Sequence, residues 1–292
     1  MSEIPNYNTT RIKVDGFEVV TYSAGSGDNV LFLLNGGPGL PCDYLREPHA
    51  QLSRKGFRVV TYDQLGCGKS DKPNDPSLWT IARYVEEVEV VRKALNLGTF
   101  HLLGHSWGGW LGIDYALKYG ANLRSLVLSN TCGDMPHLIA ELHRLRASLG
   151  PETVAMMLRH EAEGTFSHPA YQAAITLLNY RHVCRLDEYP SPLKRSLEDW
   201  NMDVYGAMQG PNEFCYTGNL RDWNRIPEMQ RIKVPCLIIN GEHDELPPSC
   251  GFRMHKVLPN SRIVIFKNSS HTPLYEEPEK YIEVLLDFLN TR

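Results

Sequence analysis

The stretch FHLLGHSWGGWLGIDYALKYG, residues 100–120, places one serine between glycines at a change of hydrophobic pattern. The apolar run before the serine is typical of a short buried strand, and the residues after it are apolar at helical spacing. A G-x-S-x-G pattern between a strand and a helix is typical of a nucleophile elbow, a sharp turn that exposes the serine hydroxyl. We therefore expect Ser106 to be a nucleophile; the alternative is a passive serine in a tight turn.

A serine hydroxyl needs a base to remove its proton, and the base needs an acid to orient it. After an elbow of this kind the acid and then the histidine follow in chain order. Segment 234–241, VPCLIING, runs into E-H-D-E, and segment 261–268, SRIVIFKN, is followed by S-S-H. Parallel strands would bring Asp244 and His271 to the same sheet edge as Ser106. We predict that His271 is the base and that Asp244 orients it.

Other histidines and acids compete for these two roles. His105 and His243 adjoin the predicted nucleophile and acid, but a turn directs them elsewhere, and His101 lies inside a strand and is expected to pack in the core. Asp134, which follows the preceding strand, is the alternative acid. Asp244 itself could be a turn former, because G-E-H-D-E contains residues that turns favour.

A glycine loop follows the first strongly apolar strand, in LFLLNGGPGLPCDYL at residues 31–45. A tetrahedral intermediate requires two hydrogen-bond donors aimed at its oxyanion. The residue after the nucleophile supplies one backbone N–H, and a loop of this kind supplies the other. We predict that the N–H groups of Trp107 and Gly37 form the oxyanion hole; the alternative for the loop is an ordinary turn before a helix.

Residues 62–73, YDQLGCGKSDKP, form a second loop rich in glycine. The loop lacks the G-x-x-x-x-G-K pattern of a phosphate-binding P-loop. We expect it to support the site structurally, with nucleotide binding as the remaining alternative. The sequence has neither a metal-ligand cluster nor a dinucleotide fingerprint, so we expect no cofactor and no metal.

Short apolar segments alternate with amphipathic ones along the chain, which favours an α/β fold with a mostly parallel sheet. The helical pattern at 77–98 suggests Gly98 as its C-cap, and a last amphipathic helix is expected at 278–290. The predicted strands lie within 10–34 and at 56–63, 100–104, 123–130, 234–241 and 261–268.

The hundred or so residues between the strands at 123–130 and 234–241 contain no good strand pattern. We interpret residues 133–229 as a helical cap or lid inserted into the sheet. The predicted core is therefore discontinuous, with residues 1–132 and 230–292 forming a central sheet flanked by helices.

Composition excludes several classes of protein. The 292 residues carry a net charge of −4 without a basic run, which disfavours nucleic acid and anionic membrane as partners. No apolar run approaches the roughly 20 residues that span a bilayer, and the polar start suggests no secretory signal. The seven cysteines include no C-x-x-C pair, so we expect free thiols and a cytoplasmic location.

Taken together, these motifs resemble the α/β-hydrolase fold and, more narrowly, the proline iminopeptidase family of serine peptidases. Two further segments, GPNEF and GNLRDWN in the predicted cap, are similar to the branch that includes the tricorn-interacting aminopeptidase. The resemblance covers nearly the whole chain and rests on G-G-P-G (36–39), Y-D-Q-L-G-C-G-K-S (62–70), G-H-S-W-G-G (104–109), G-E-H-D-E (241–245) and S-S-H (269–271).

The resemblance implies how a free N-terminus is recognised. In the family a cap glutamate and a glutamate beside the acid hold the substrate ammonium, and the matching positions are Glu213 and Glu245. Charge-assisted hydrogen bonds give such a pair its specificity; the alternative for each is a solvated surface residue. Tyr205 and Trp223 are aromatic candidates for the side-chain pocket. Asn35 stands where the family usually has histidine before G-G-P-G; we expect it to hydrogen-bond within the loop, and a strict prolyl preference does not follow.

The sequence thus predicts a serine hydrolase that releases an N-terminal amino acid, proline or another, from a short peptide or amino acid amide through an aminoacyl-enzyme. One alternative is an amidase or aminoacyl hydrolase acting on a small molecule. A second is a carboxylesterase or lactonase with the same triad, and a third is a non-catalytic receptor. A dehalogenase or epoxide hydrolase would require aspartate at the nucleophile position. The sequence does not indicate the oligomeric state or the preferred residue.

Overall fold

The computed structural model describes residues 7–291, so the ends of the predicted core, residues 1–6 and 292, lie outside the described part. Its centre is one eight-stranded sheet in the order β1-β2-β4-β3-β5-β6-β7-β8. The strands are β1 (Asn8–Val14), β2 (Phe17–Ala24), β3 (Val30–Leu34), β4 (Arg58–Asp63), β5 (Phe100–His105), β6 (Leu123–Ser129), β7 (Cys236–Gly241) and β8 (Ser261–Phe266).

The sheet is mostly parallel, as the sequence predicts. Strand β2 pairs antiparallel with both β1 and β4, and the remaining five pairings are parallel. Parallel strands are covered on both faces by helices and are therefore apolar throughout. Leu102 and Leu103 on β5 illustrate this, because both are fully buried yet belong to different apolar clusters on opposite faces of the sheet.

Helices cover the sheet and fill the long interval between β6 and β7. Six helices and no strand of the sheet occur in that interval, consistent with the absence of a strand pattern there. No helix in the described range 7–291 combines the length and apolarity that a bilayer span requires. The helices are α1 (Asp43–His49), α2 (Ile81–Ala94), α3 (Trp107–Tyr119), α4 (Met135–Ala147), α5 (Pro151–Glu163), α6 (Pro169–His182), α7 (Ser191–Glu198), α8 (Met202–Met208), α9 (Ile226–Met229), α10 (Pro248–Val257), α11 (Pro273–Glu276) and α12 (Pro278–Leu289).

One predicted helix end is wrong. Helix α2 ends at Ala94, and its C-cap is Leu95 rather than Gly98. Asn96 already has a left-handed backbone with φ of 50°, so the chain leaves the helix before it reaches Gly98. Gly98, with φ of 62°, instead belongs to the turn that leads into β5. The apolar pattern continues into this turn because Leu97 is buried in the core.

The parallel order determines where the polar loops meet. Strands β3, β5, β6, β7 and β8 run in the same direction, so the loops after them lie at one edge of the sheet. Ligand sites of open α/β sheets form at this carboxyl edge. The G-G-P-G loop, Ser106, Asn130, Asp244 and His271 all follow these strands.

Candidate active site

Ser106 occupies a strained turn between β5 and α3. Its φ of 56° and ψ of −124° are rare for a residue with a side chain, and its N–H donates to the carbonyl of Ser129 at 3.0 Å. A Cβ placed at Gly104 would lie 2.1 Å from the carbonyl oxygen of Gly108. Only glycine fits where the two backbone segments come this close. The close packing of the turn therefore explains why the pattern has glycine at this position.

A carboxylate and a histidine from two different loops meet beside this turn. Nδ1 of His271 is 2.8 Å from Oδ1 of Asp244. The same carboxylate accepts the backbone N–H of Leu246 at 2.9 Å and the side-chain amide of Asn130 at 2.7 Å. Three donors therefore fix the Asp244 carboxylate, and the carboxylate in turn selects the His271 tautomer that carries its proton on Nδ1.

Ser106 and His271 line one cleft. Within residues 7–291 no hydrogen bond joins their side chains; such bonds are often long in a free enzyme and shorten when substrate binds. Burial by itself lowers the pKa of His271, but the charge and hydrogen bond of Asp244, together with the charge of Glu213, raise that pKa above 6.5 overall. The surroundings of the ring therefore favour an imidazolium.

Two backbone N–H groups beside Ser106 have no acceptor in the part of the chain that the structure describes. One belongs to Gly37, whose φ of 114° turns the loop after β3 toward the cleft. The other belongs to Trp107, the first residue of α3, where an N–H has no intrahelical acceptor. The N–H of Gly36, in contrast, is already bound to the hydroxyl of Tyr44 at 2.6 Å.

Asn35 and Gln64 connect the glycine loop to the elbow. The Asn35 amide donates to the carbonyl of Leu40 at 2.5 Å and so closes the loop, which confirms the expected hydrogen bond within it. Gln64 donates to the side-chain oxygen of Asn35 at 3.4 Å and accepts the indole N–H of Trp107 at 2.8 Å. The Y-D-Q segment thus supports the site through a buried amide.

One predicted carboxylate lies next to the histidine, and the other lines the cleft. Oε1 of Glu245 is 3.7 Å from Nε2 of His271, and Glu213 lines the cleft with Ser106. Gln209 donates to Glu213 at 2.7 Å, whereas Oε2 of Glu245 is buried with no hydrogen-bond partner in the described chain. Burial raises the pKa of both carboxyls, and the neighbouring charges of Glu213 and Asp244 raise that of Glu245 further.

Most of the remaining side chains that line the cleft are apolar. Lysine and arginine are absent from the described residues that line it. Neither aromatic candidate for a side-chain pocket lines it: the Tyr205 hydroxyl bonds Gln209 at 2.6 Å, and Trp223 packs on Trp110. The apolar lining comes from the glycine loop, from α7 and from the segments on either side of α7, as Leu40, Val183, Tyr189, Leu193, Leu197 and Trp200.

The competing histidines and acids have other partners. Asp134 caps α4 through the N–H of His137 and pairs with Arg253. His101 bonds the hydroxyl of Ser125 at 2.8 Å inside the sheet, and the carbonyl of His243 bonds His182. His105 is buried directly behind His271, with ring centroids 4.8 Å apart. Sequence reasoning missed Asn130 and Tyr44, and it expected support from the loop that contains Gln64 without identifying that residue. Asn130 and Gln64 adjoin predicted strand ends, and Tyr44 lies near the end of the glycine-loop segment 31–45.

Known proteins resemble this chain over nearly its whole length. A family model described as the alpha/beta hydrolase fold matches residues 29–278. A proline iminopeptidase of Saccharolobus solfataricus is 41% identical over 268 residues, covering 91% of this chain and 86% of that protein. One of Thermoplasma volcanium is 36% identical over 284 residues, covering 95% of each.

Two solved structures have the same architecture and more than 30% identity. The crystal structure of VinJ aligns with a TM-score of 0.93 and 34% identity, covering 98% of this chain and 99% of VinJ. That of a proline iminopeptidase from Mycobacterium smegmatis aligns with a TM-score of 0.89 and 33% identity, covering 97% and 98%.

Proposed function

The chain belongs to the proline iminopeptidase family of the α/β-hydrolase fold, and we propose that it is a serine hydrolase that releases an N-terminal amino acid from short peptides or amino acid amides. One observation carries the proposal. The buried Glu245 and the partly buried Glu213, two carboxyls of raised pKa, share a cleft and its margin with Ser106 and His271. Such carboxylates suit a cationic group bound one atom away from the reacting carbonyl.

The geometry supports the following sequence of steps. Glu213 and Glu245 bind the substrate ammonium and hold the adjacent carbonyl over Ser106. His271 takes the hydroxyl proton as Ser106 attacks, while Asp244 stabilises the imidazolium. The N–H groups of Gly37 and Trp107 stabilise the oxyanion. His271 then protonates the leaving amine, and a water molecule attacks the aminoacyl-enzyme by the same route.

A direct comparison of substrates tests this function. The protein is assayed with prolyl and alanyl p-nitroanilides and with p-nitrophenyl acetate, an ester that carries no ammonium. We expect the aminoacyl anilides to be the better substrates by kcat/KM relative to their uncatalysed rates. A preference for the neutral ester would instead support a carboxylesterase or lactonase, and failure of a fluorophosphonate to label Ser106 would support a receptor.

The apolar lining of the cleft favours a second candidate, hydrolysis of an amino acid amide of a small molecule. A dipeptide would place its carboxylate close to the scissile bond, where the described lining offers no lysine or arginine and already contains Glu213. An unpaired buried charge is costly, so an uncharged leaving group fits better. Comparing kcat/KM for alanyl-leucine with that for alanyl-leucine amide distinguishes the two, because only the dipeptide has the carboxylate.

Location is a separate proposal. The seven cysteines are free thiols, and six of them are buried. Free thiols are typical of a reducing compartment, which supports a cytoplasmic enzyme. A fractionation of native cells with antibodies against the chain would test it.

A further inference from the structure

A continuous path of hydrogen bonds runs from the glycine loop to the backbone of His271. The N–H of Gly36 donates to the hydroxyl of Tyr44 at 2.6 Å. The Tyr44 hydroxyl lies 2.9 Å from Nδ1 of His105, and Nε2 of His105 lies 2.9 Å from the carbonyl oxygen of His271. Tyr44 and His105, which the proposed steps do not use, therefore connect the loop that carries the predicted oxyanion hole to the predicted base.

The direction of every bond in this path is fixed by its ends. A backbone N–H can only donate, so the Tyr44 oxygen accepts from Gly36 and its own proton is free to point at His105. The carbonyl of His271 can only accept, so Nε2 of His105 carries the ring proton. Nδ1 of His105 is then the acceptor that the Tyr44 hydroxyl needs, and no donor or acceptor conflict remains.

Burial keeps these protons in place. His105 and Tyr44 are 1% and 2% exposed. Burial, and then the charge of His271, lowers the pKa of His105 well below 6.5, so the ring stays neutral. Burial likewise raises the pKa of the Tyr44 hydroxyl, which keeps its proton. Each hydrogen bond of the path therefore keeps the same donor and acceptor over the whole pH range in which His271 titrates.

The path also encloses the nucleophile. A Cβ placed on Gly36 would lie 2.8 Å from the Tyr44 hydroxyl and 3.0 Å from Cβ of Ser106. Tyr44 and His105 line the cleft together with Ser106 and His271. A displacement of either ring would therefore change the distance between the glycine loop and His271 on either side of Ser106.

We propose that Tyr44 and His105 are positioning residues that hold the glycine loop and His271 in register around Ser106. Gly36 precedes Gly37, so anchoring its N–H on Tyr44 aims the next N–H at the oxyanion. The bond from His105 fixes the backbone that carries the base. This assignment adds two residues to the proposed function and rests on its choice of Ser106 and His271.

Substitutions at both positions test the assignment. Tyr44→Phe keeps the ring and removes the hydroxyl, and His105→Gln keeps a donor for the carbonyl of His271 but has no acceptor at the position of Nδ1, which faces Tyr44. We expect each to lower kcat, and the rate at which a fluorophosphonate labels Ser106, by about tenfold to hundredfold, the scale of a misplacement near 1 Å. KM and the inhibition constant of L-prolinol, an ammonium ligand, should stay within about twofold, because Glu213 and Glu245 are unchanged.

The double variant and a matched control separate positioning from stability. Residues in one hydrogen-bonded path act as a unit, so the double variant should be no slower than about the slower single variant. Tyr281→Phe is the control, because Tyr281 is also fully buried and bonded to a buried histidine, His49, at 3.2 Å. We expect it to change the midpoint of thermal unfolding as Tyr44→Phe does, with kcat unaltered.

Three results would each overturn the assignment. The first is that Tyr44→Phe labels at the same rate as Tyr281→Phe, and the second is that the effects of the two single variants on kcat multiply in the double variant. The third is that KM rises in Tyr44→Phe or His105→Gln while kcat stays constant. If the variants do not fold, nitrogen-15 NMR of the unmodified protein decides. The ring of His105 must then be neutral with its proton on Nε2, and a proton on Nδ1 contradicts the path. Fluorophosphonate labelling of Ser106 needs no aminoacyl substrate. It therefore tests the assignment even if the protein hydrolyses no aminoacyl anilide and the proposed aminopeptidase function is wrong.

Discussion

Oε1 of Glu245 lies 3.7 Å from Nε2 of His271, and both side chains are buried. A cation that binds this carboxylate is therefore adjacent to the base that activates the nucleophile. In the proposed function, an ammonium bound at Glu245 lies within one residue of the reacting carbonyl, as an exopeptidase requires. A substrate with a blocked amine would place an uncharged amide against carboxyls that are costly to leave unpaired.

Neutralising either carboxylate should act on substrate binding through the ammonium. We expect Glu213→Gln and Glu245→Gln to lower kcat/KM for alanyl p-nitroanilide by about 10²-fold to 10³-fold, since a charge-assisted bond in a buried site contributes about 3–4 kcal/mol. Hydrolysis of p-nitrophenyl acetate is the control. Its kcat/KM should change by less than about threefold, and equal losses on both substrates would place the two glutamates outside ammonium recognition.

The acid side of the pH profile should report His271. Its pKa is raised above 6.5 in the free protein, so the neutral base is lost as pH falls through a value above 6.5, and kcat/KM falls with it. Glu213 is one of the charges that raise this pKa. Glu213→Gln should therefore shift the acid limb of p-nitrophenyl acetate hydrolysis to lower pH.

The exposed Asp199, which pairs with Lys72 on the surface, provides the control for this shift. Asp199→Asn should leave the limb in place. A limb that stays unmoved in Glu213→Gln would show that this carboxylate does not act on the base.

Substrate binding should release protons. Burial raises the pKa of Glu213 and Glu245, so the pair is protonated at a higher pH than ordinary carboxyls, whereas a bound ammonium stabilises the ionised form. Affinity for L-prolinol should then weaken as pH falls through the raised values. Calorimetric titrations in two buffers of different ionisation enthalpy measure the release near neutral pH. A proton count of zero, or uptake, contradicts the linkage.

Asn130 allows its side chain to be tested apart from its backbone. Its φ of 52° is left-handed, a conformation that glycine adopts freely, and its amide donates to Asp244 at 2.7 Å. Asn130→Gly should keep the backbone and lower kcat by about tenfold, because Asp244 loses a fixed donor. Asn130→Ala adds backbone strain of about 1 kcal/mol or more, seen as a further loss of unfolding free energy. If the glycine variant retains full kcat, the amide does not support the acid.

Gln64 should couple the stability of the site to its activity. Its buried amide accepts the indole N–H of Trp107 and donates to Asn35. Gln64→Leu leaves both partners buried without a hydrogen bond, at a cost of about 1–3 kcal/mol each in the unfolding free energy. We expect urea unfolding to show this loss together with a lower kcat. A variant as stable as the unmodified protein would show that water replaces the amide.

That Ser106, Asp244 and His271 meet at one sheet edge could be predicted from sequence, because each follows a recognisable strand in a fixed chain order. Their supporting residues could not, because a hydrogen bond between distant segments leaves no local pattern. Asn130 and Asp244 are 114 residues apart, and Tyr44 and His105 are 61 apart. The sequence argued against His105 as the catalytic base, because a turn directs it elsewhere. It gave no indication that the ring contacts Tyr44 and the carbonyl of His271.

The aromatic residues show the same limit. Tyr205 precedes the GPNEF segment and Trp223 lies in GNLRDWN, yet neither lines the cleft. The apolar wall comes instead from the glycine loop, from α7 and from the segments before and after α7. Helical periodicity shows which face is apolar but not whether that face packs on a core or borders a cavity.

The proposed aminopeptidase function is tested most directly by comparing alanyl p-nitroanilide with its N-acetylated form, using the unmodified protein and Ser106→Ala. We expect acetylation of the substrate amine to lower kcat/KM by at least about 10³-fold, and we expect Ser106→Ala to cleave neither compound. Cleavage of the acetylated substrate as fast as its free-amine parent would contradict the proposed function, because Glu213 and Glu245 would then have no part in choosing the substrate.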